Sequence, residues 1–212
     1  MSISAERIKQ DLIKIAELSK SVNGRIKVIS TTGNPVNKIL LEIDYPTAPS
    51  KDYPRAVQQK TEVKIELLSR YPFQEPKATI TTPIVHPNVY SSGQICFGTK
   101  WLPTQGLDLL ARRIIQIITF DETILNEQSP ANGTALSWYR DASRRNPEAF
   151  PTDKLSITEQ PKKKISWNNA SQADIEKTIV SCPNCGTSMR VPSGKKLNVN
   201  CSKCSHQFLV TT

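Results

Sequence analysis

A chain of 212 residues is long enough for one full core and a small appendage, and a hydrophobic content of 37% places part of it outside that core. A formal net charge of +9 makes the surface mildly basic, but no dense Lys/Arg stripe demands nucleic acid as a partner. No run approaches the ~18 apolar residues of a membrane span, and Met1-Ser2-Ile3-Ser4-Ala5-Glu6 lacks the basic-then-apolar plan of a secretory leader. The expectation is a soluble cytoplasmic protein with no membrane partner.

The first predicted element is an amphipathic helix over residues 4–19. Ser4 is its N-cap, and Ala5, Ile8, Leu12, Ile15 and Ser19 share one face. Arg25–Ser30 and Lys38–Ile43 read as strands joined by the turn residues Thr32-Gly33-Asn34-Pro35. Residues 44–59 show no period and read as a loop. Thr61–Leu68 alternates Val63, Ile65 and Leu67 with Glu62, Lys64 and Glu66, the pattern of a half-buried strand. Lys77–Thr81 is a fourth strand, and strands joined by short turns form an antiparallel meander. Thr82–Thr104 is irregular. Helices return over Leu107–Phe120, with Leu107, Leu110, Ile114, Ile117 and Ile118 on a broad apolar face, and over Ala131–Arg145. The fold class is α+β.

Composition shifts after Phe150. Residues 151–180 carry Lys162-Lys163-Lys164 and several Ser and Asn, which reads as a linker with a short helix near Ala170–Lys177. The expected organisation is a main domain over 1–150, a linker over 151–180 and a small domain over 181–212.

Five cysteines divide as one plus four. Cys182, Cys185, Cys201 and Cys204 form two Cys-x-x-Cys pairs separated by fifteen residues, the spacing of a structural zinc site. Four thiolates close the tetrahedron, so no position is left for a catalytic water. His206 is a rival ligand only if one cysteine is displaced. Met189, Val191, Leu197 and Val199 suggest two short strands joined by Pro192-Ser193-Gly194. The tail is either a self-contained stabilising cap or a docking module for a target, a ligase-like partner or nucleic acid.

Cys96 stands alone, at the end of Ile84-Val85-His86-Pro87-Asn88-Val89-Tyr90-Ser91-Ser92-Gly93-Gln94-Ile95-Cys96. As a hydrolase nucleophile it needs a general base in reach, and His86 is the sole candidate outside the tail, with no third group to orient it. As an acyl carrier it needs less: a held thioester, little water, and a donor for the carbonyl oxygen as charge develops. Asn88 suits that donor role, because its amide gives a hydrogen bond without being consumed. It equally suits a structural role tying down the loop.

This segment resembles the active-site segment of the ubiquitin-conjugating enzymes, with a His-Pro-Asn turn, a Gly-containing loop, and an acceptor cysteine eight positions after the Asn. Tyr71-Pro72-Phe73-Gln74-Glu75-Pro76 upstream, Trp101 and Pro103 downstream, and Ser129-Pro130-Ala131-Asn132 are similar to further family segments. The resemblance covers roughly residues 1–150. It implies a fold of N-terminal helix, four-stranded antiparallel meander and C-terminal helices, to which the tail adds a zinc ribbon. It implies Cys96 as thioester acceptor and Asn88 as catalytic partner, and His86, Pro87 and Ser129 as structural residues of the site. It makes Phe73, Trp101 and Pro103 partner-binding residues, with a ubiquitin-like modifier and an activating-enzyme-like protein as partners. Ser129 stands where the family often carries an acidic residue or serine near the incoming lysine, and a serine cannot depress a lysine pKa by charge. The loop from Cys96 to Trp101 is short, and with Ser-Pro-Ala-Asn-Gly it looks more like bacterial relatives. The alternative to a transferase is a weakly active scaffold of the same fold whose ribbon binds protein or nucleic acid.

Overall fold

The computed structural model describes residues 3–157 and 177–212. The chain forms two compact units, Met1–Gln160 and Pro161–Thr212. In the first, α1 (Ile3–Ser21) precedes strands β1 (Ile26–Thr32), β2 (Lys38–Thr47), β3 (Gln58–Glu66) and β4 (Lys77–Ile80), followed by helices α2 (Leu107–Ile118) and α3 (Gly133–Arg145). The strands form one antiparallel sheet in the order β1-β2-β3-β4. This is the α+β meander expected from the sequence.

Alternation builds the sheet. Ile39, Leu41, Ile43 and Tyr45 of β2 and Thr61, Val63 and Ile65 of β3 face inward and are buried, with Ile39 opposite Ile65 and Leu41 opposite Val63. Helix α2 packs on α1 and β2 and closes the core with Leu107, Leu110, Ala111, Ile114, Ile115, Ile117 and Ile118. Each of these buried leucines and isoleucines contributes about 1.5–3 kcal/mol.

Three local differences from the sequence expectations have physical reasons. The buried stripe of α1 runs through Ile8, Ile15, Leu18 and Val22, while Ala5, Leu12 and Ser19 are half-buried. It rotates to admit Asp11, which is 0% exposed. The Asp11 carboxylate is compensated by Arg7 Nε at 2.8 Å, the Tyr71 hydroxyl at 2.5 Å and the Leu107 N–H at 3.4 Å. Strands β2 and β3 extend into the segment expected as a loop. Tyr45 and Thr47 continue the inward face, and a register shift between Asp44 and Thr47 accommodates Pro46, which has no N–H to pair. Packing of the main domain also continues past Phe150: Thr152 donates from N to the Thr119 carbonyl and from Oγ1 to the Pro46 carbonyl, Asp153 pairs with Arg25, and Leu155 and Ile157 lie against the core.

The described residues of the second unit form a pair of hairpins. Strand β5 (Lys177–Ser181) pairs with β6 (Ser188–Pro192), and β7 (Lys196–Asn200) pairs with β8 (Gln207–Thr211). The two strands expected from the sequence exist as β6 and β7, but each pairs with a different partner. Residues 177–180, expected as linker, are strand, consistent with the β-branched run Thr178-Ile179-Val180. The short helix expected near Ala170–Lys177 lies outside the described residues, apart from Lys177 in β5.

Candidate functional site

The site is a hub of hydrogen bonds centred on Asn88. His86, Pro87 and Asn88 are buried in the turn after β4. The Asn88 backbone N–H donates to His86 Nδ1 at 2.9 Å, and the Cys96 N–H donates to the Asn88 carbonyl at 2.8 Å. Asn88, 1% exposed, uses its side chain in both directions: Nδ2 donates to the Ile124 carbonyl at 3.1 Å, and Oδ1 accepts from the Asn126 N–H at 3.3 Å. The Pro87 carbonyl accepts from the Asn132 N–H at 3.0 Å, and Asn132 caps α3 through the Ala135 N–H. The turn therefore anchors the segment after α2 and the start of α3.

The hairpin that returns the chain to Cys96 depends on a glycine. Gly93 has φ +82, and a Cβ there would lie 2.3 Å from the Ile80 carbonyl oxygen. Its own carbonyl accepts from the Ile80 N–H, and the Ile95 N–H then reaches the Ala78 carbonyl, laying the segment along β4. Only glycine allows this approach at this φ.

His86 is 0% exposed, and its ring lies 4.4 Å from that of Phe120 between centroids. Burial pushes its pKa down to about 3, against a weaker opposing pull from the Ile117 backbone. Its Nδ1 lone pair is taken by the Asn88 N–H, so the imidazole is neutral and has no free lone pair for a general base. The hydrolase reading of Cys96 loses its sole candidate base in this unit.

Cys96 itself is half-buried and opens on a groove of about 590 Å³ whose walls include Ala78, Tyr90, Gln94 and Phe97. Tyr90, 44% exposed, was not singled out from the sequence. Its hydroxyl stands near enough to Cys96 that the sulfur's charge, and secondarily a hydrogen bond, push the tyrosine pKa upward. Its position inside the segment ending at Cys96 was the available signal. Beyond Cys96, the Phe97 carbonyl is held by Arg113 Nε and Nη2 at 3.0 and 2.8 Å. Ser129 is exposed and donates its N–H to Asn126 Oδ1 at 3.0 Å, while Glu127 is turned to Arg140 at 2.9 Å.

The proposed partner residues divide. Phe73 is 75% exposed, and Pro103 is half-buried. Trp101 is an anchor: its Nε1 donates to the Pro72 carbonyl at 2.7 Å and its ring packs beside Tyr71. The apolar surface on that loop comes from exposed Leu102, whose place between Trp101 and Pro103 was the sequence signal.

In the second unit each Cys-x-x-Cys pair occupies the turn of one hairpin. The Cys182 and Cys204 sulfurs are 3.7 Å apart, the Cys185 and Cys201 sulfurs 3.6 Å, and all four lie within 4.8 Å of one another. A tetrahedron with Zn–S bonds of ~2.3 Å has S···S edges of roughly 3.8 Å, so the four cysteines fit a metal of that size. Thr187, through its side chain and then its backbone, holds the Cys185 thiol down to about 6. The Asn184 side chain and then the His206 backbone lower that of Cys204. Burial raises the Cys182 thiol to about 11, against the Cys185 and Asn184 backbone amides. Donors aimed at sulfur are the surroundings a thiolate cluster needs.

A family profile described as ubiquitin-conjugating enzyme matches residues 57–150. Ubiquitin-conjugating enzyme E2 S of Drosophila simulans is 31% identical over 149 residues, covering 68% of this chain and 68% of that protein. A ubiquitin-conjugating enzyme E2 of African swine fever virus (isolate Pig/Kenya/KEN-50/1950) is 30% identical over 125 residues, so the chain spans about half of that relative, 53% of its length. Among solved structures, human ubiquitin-conjugating enzyme E2 G1 is similar at 21% identity and a TM-score of 0.42, covering 55% of this chain and 98% of that one. With identity extending over two thirds of a relative and the profile match running through the His-Pro-Asn turn and Cys96, the chain belongs to the ubiquitin-conjugating enzyme family.

Proposed function

We propose that the chain accepts the C-terminus of a ubiquitin-like modifier as a thioester on Cys96 and transfers it to a lysine of a target. The observation that carries this reading is a half-exposed thiol on an open groove whose sole histidine candidate for a base in this unit, His86, is buried and neutral. Such a site suits exchange of an acyl group between thiols, followed by attack from an amine that arrives with the target. The incoming Cys96 thiolate displaces the thiolate of the activating-enzyme-like partner. The lysine amine then forms the C–N bond, the C–S bond breaks, Cys96 leaves as thiolate and solvent water takes the amine proton.

Phe73 and Leu102 supply exposed apolar surface for the proteins that deliver or direct the modifier. Cys182, Cys185, Cys201 and Cys204 hold one structural zinc, which supplies folding energy and no chemistry at Cys96. The ribbon docks a target or ligase-like partner. Charging Cys96 and then adding free lysine tests the transfer step: the modifier should pass to the amine faster than to water. Release to water alone at every lysine concentration would defeat the transferase reading.

A further inference from the structure

We propose that Lys77 is an internal acceptor of this chain: when no target amine arrives, it takes the modifier from the thioester on Cys96, and the chain marks itself beside its own thiol. The inference rests on the reading of Cys96 as acceptor. It starts from strand register. The Ile80 N–H donates to the Gly93 carbonyl and the Ile95 N–H to the Ala78 carbonyl, each at 2.9 Å, and Thr79 is bridged to Gln94. One further step of this antiparallel register sets Lys77 opposite Cys96. Residues opposite one another across antiparallel strands have Cβ atoms about 4.5–5.5 Å apart and side chains on the same face.

Burial identifies that face. Ala78 and Ile95 lie in the core, 1% and 4% exposed, whereas Lys77 is exposed and Cys96 half-buried. Both Lys77 and Cys96 line the groove of about 590 Å³. Lys77 makes no hydrogen bond or ion pair among the described residues, and Glu66, its neighbour on β3, is held by Lys64 at 3.5 Å. Strand β4 is fixed on both sides, by β3 and by the segment returning to Cys96. The Lys77 backbone therefore stays beside the thiol, while its flexible four-carbon stem lets the amine reach the carbonyl. Lys100 also lines the groove, but from the loop beyond Cys96, with no strand pairing to hold it opposite the sulfur.

In the internal step the neutral Lys77 nitrogen bonds to the thioester carbonyl carbon, the C–S bond breaks, Cys96 leaves as thiolate and solvent water takes the proton from nitrogen. Its place on the adjoining strand gives Lys77 an effective concentration that a dissolved amine lacks. The amide it forms leaves the modifier's tail in the groove that the next thioester needs, so the transfer ends that chain's turnover.

The test uses the full chain, charged on Cys96 with ubiquitin by an activating enzyme and ATP, with ATP then removed and no target added. The thioester should convert slowly to a reductant-resistant adduct, at a rate independent of protein concentration. Trypsin digestion and mass spectrometry should find the ubiquitin remnant on Lys77, in a peptide that joins residues 71–77 to 78–100 because cleavage after Lys77 is blocked. Lys77→Arg keeps the charge and much of the stem but offers no acceptor amine. It should load normally and form the resistant adduct at least about tenfold more slowly, whereas Lys100→Arg should match the wild type. A remnant on Lys100 or another lysine in place of Lys77, a rate that rises with protein concentration, or an undiminished adduct in Lys77→Arg would overturn the proposal. So would a purified Lys77 adduct that reloads as readily as the unmodified chain. If the wild type itself cannot be loaded, the reading of Cys96 fails and this inference with it. Normal loading with no adduct on Lys77 removes the inference alone.

Discussion

Asn88 and His86 show how much of the site is architecture. Asn88→Ala deletes a buried donor and acceptor together, leaving the Ile124 carbonyl and the Asn126 N–H without their partners. It should lower stability by about 1–3 kcal/mol, and lysine discharge should fall more than loading, measured on the folded fraction. His86 makes a prediction about pH. Its folded pKa is about 3, far below its unfolded value of 6.5. Between these values the unfolded chain binds the extra proton, so stability is fully present above pH ~6.5 and falls as pH drops toward 3. The slope from this one group is at most about 1.4 kcal/mol per pH unit. His86→Gln retains an acceptor for the Asn88 N–H but cannot titrate, so urea midpoints should lose that slope between pH 5 and 6.5, above most carboxylates. An unchanged slope would show that His86 is not buried as a neutral ring.

At the scale of elements, turns decide the two functional centres. Gly93→Ala places a methyl against the Ile80 carbonyl at a φ only glycine tolerates well. It should displace the return strand to Cys96, seen as reduced loading and a lower melting temperature. In the ribbon, the residue after each second cysteine is left-handed: Gly186 at φ +69 and Ser205 at φ +56. Glycine fits there and serine is strained, so Ser205→Gly should stabilise the metal-loaded hairpin by roughly 0.5–1 kcal/mol, measured by chelator challenge. These turns were also where sequence reading succeeded or failed. Strict alternation in Val63, Ile65 and Leu67 identified β3, and Thr32-Gly33-Asn34-Pro35 identified the β1–β2 turn. The continuation of β2 through Pro46 was hidden, because a proline reads as a break and only the register shift reveals how it is accommodated. Asp11 was hidden for a similar reason: a charged residue reads as exposed, and its burial depends on Arg7, Tyr71 and Leu107 arriving from three parts of the fold.

For the whole molecule, motif spacing along the chain carried the architecture, and side-chain direction in space carried the rest. His86-Pro87-Asn88 with Cys96 eight positions on, and the two Cys-x-x-Cys pairs, marked both candidate centres in the bare sequence. That the Asn88 amide is engaged at the first centre was not legible there, because it depends on what Ile124 and Asn126 offer across the fold. The same holds for the end of the main domain, since Thr152, Asp153, Leu155 and Ile157 pack back onto it. A fragment ending at residue 157 should therefore melt close to the main transition of the full chain, whereas one ending at 150 should melt lower. Elemental analysis of the full chain should find one zinc, and its chelation should unfold the ribbon and leave the main transition in place. The most direct measurement is the state of Cys96 after incubation with an activating enzyme, ATP and ubiquitin. A single ubiquitin adduct cleaved by thiol reductant, converted by Cys96→Ser to a reductant-resistant ester and abolished by Cys96→Ala, is the predicted result. An adduct that persists in Cys96→Ala, or no adduct from the folded wild-type chain, would contradict it.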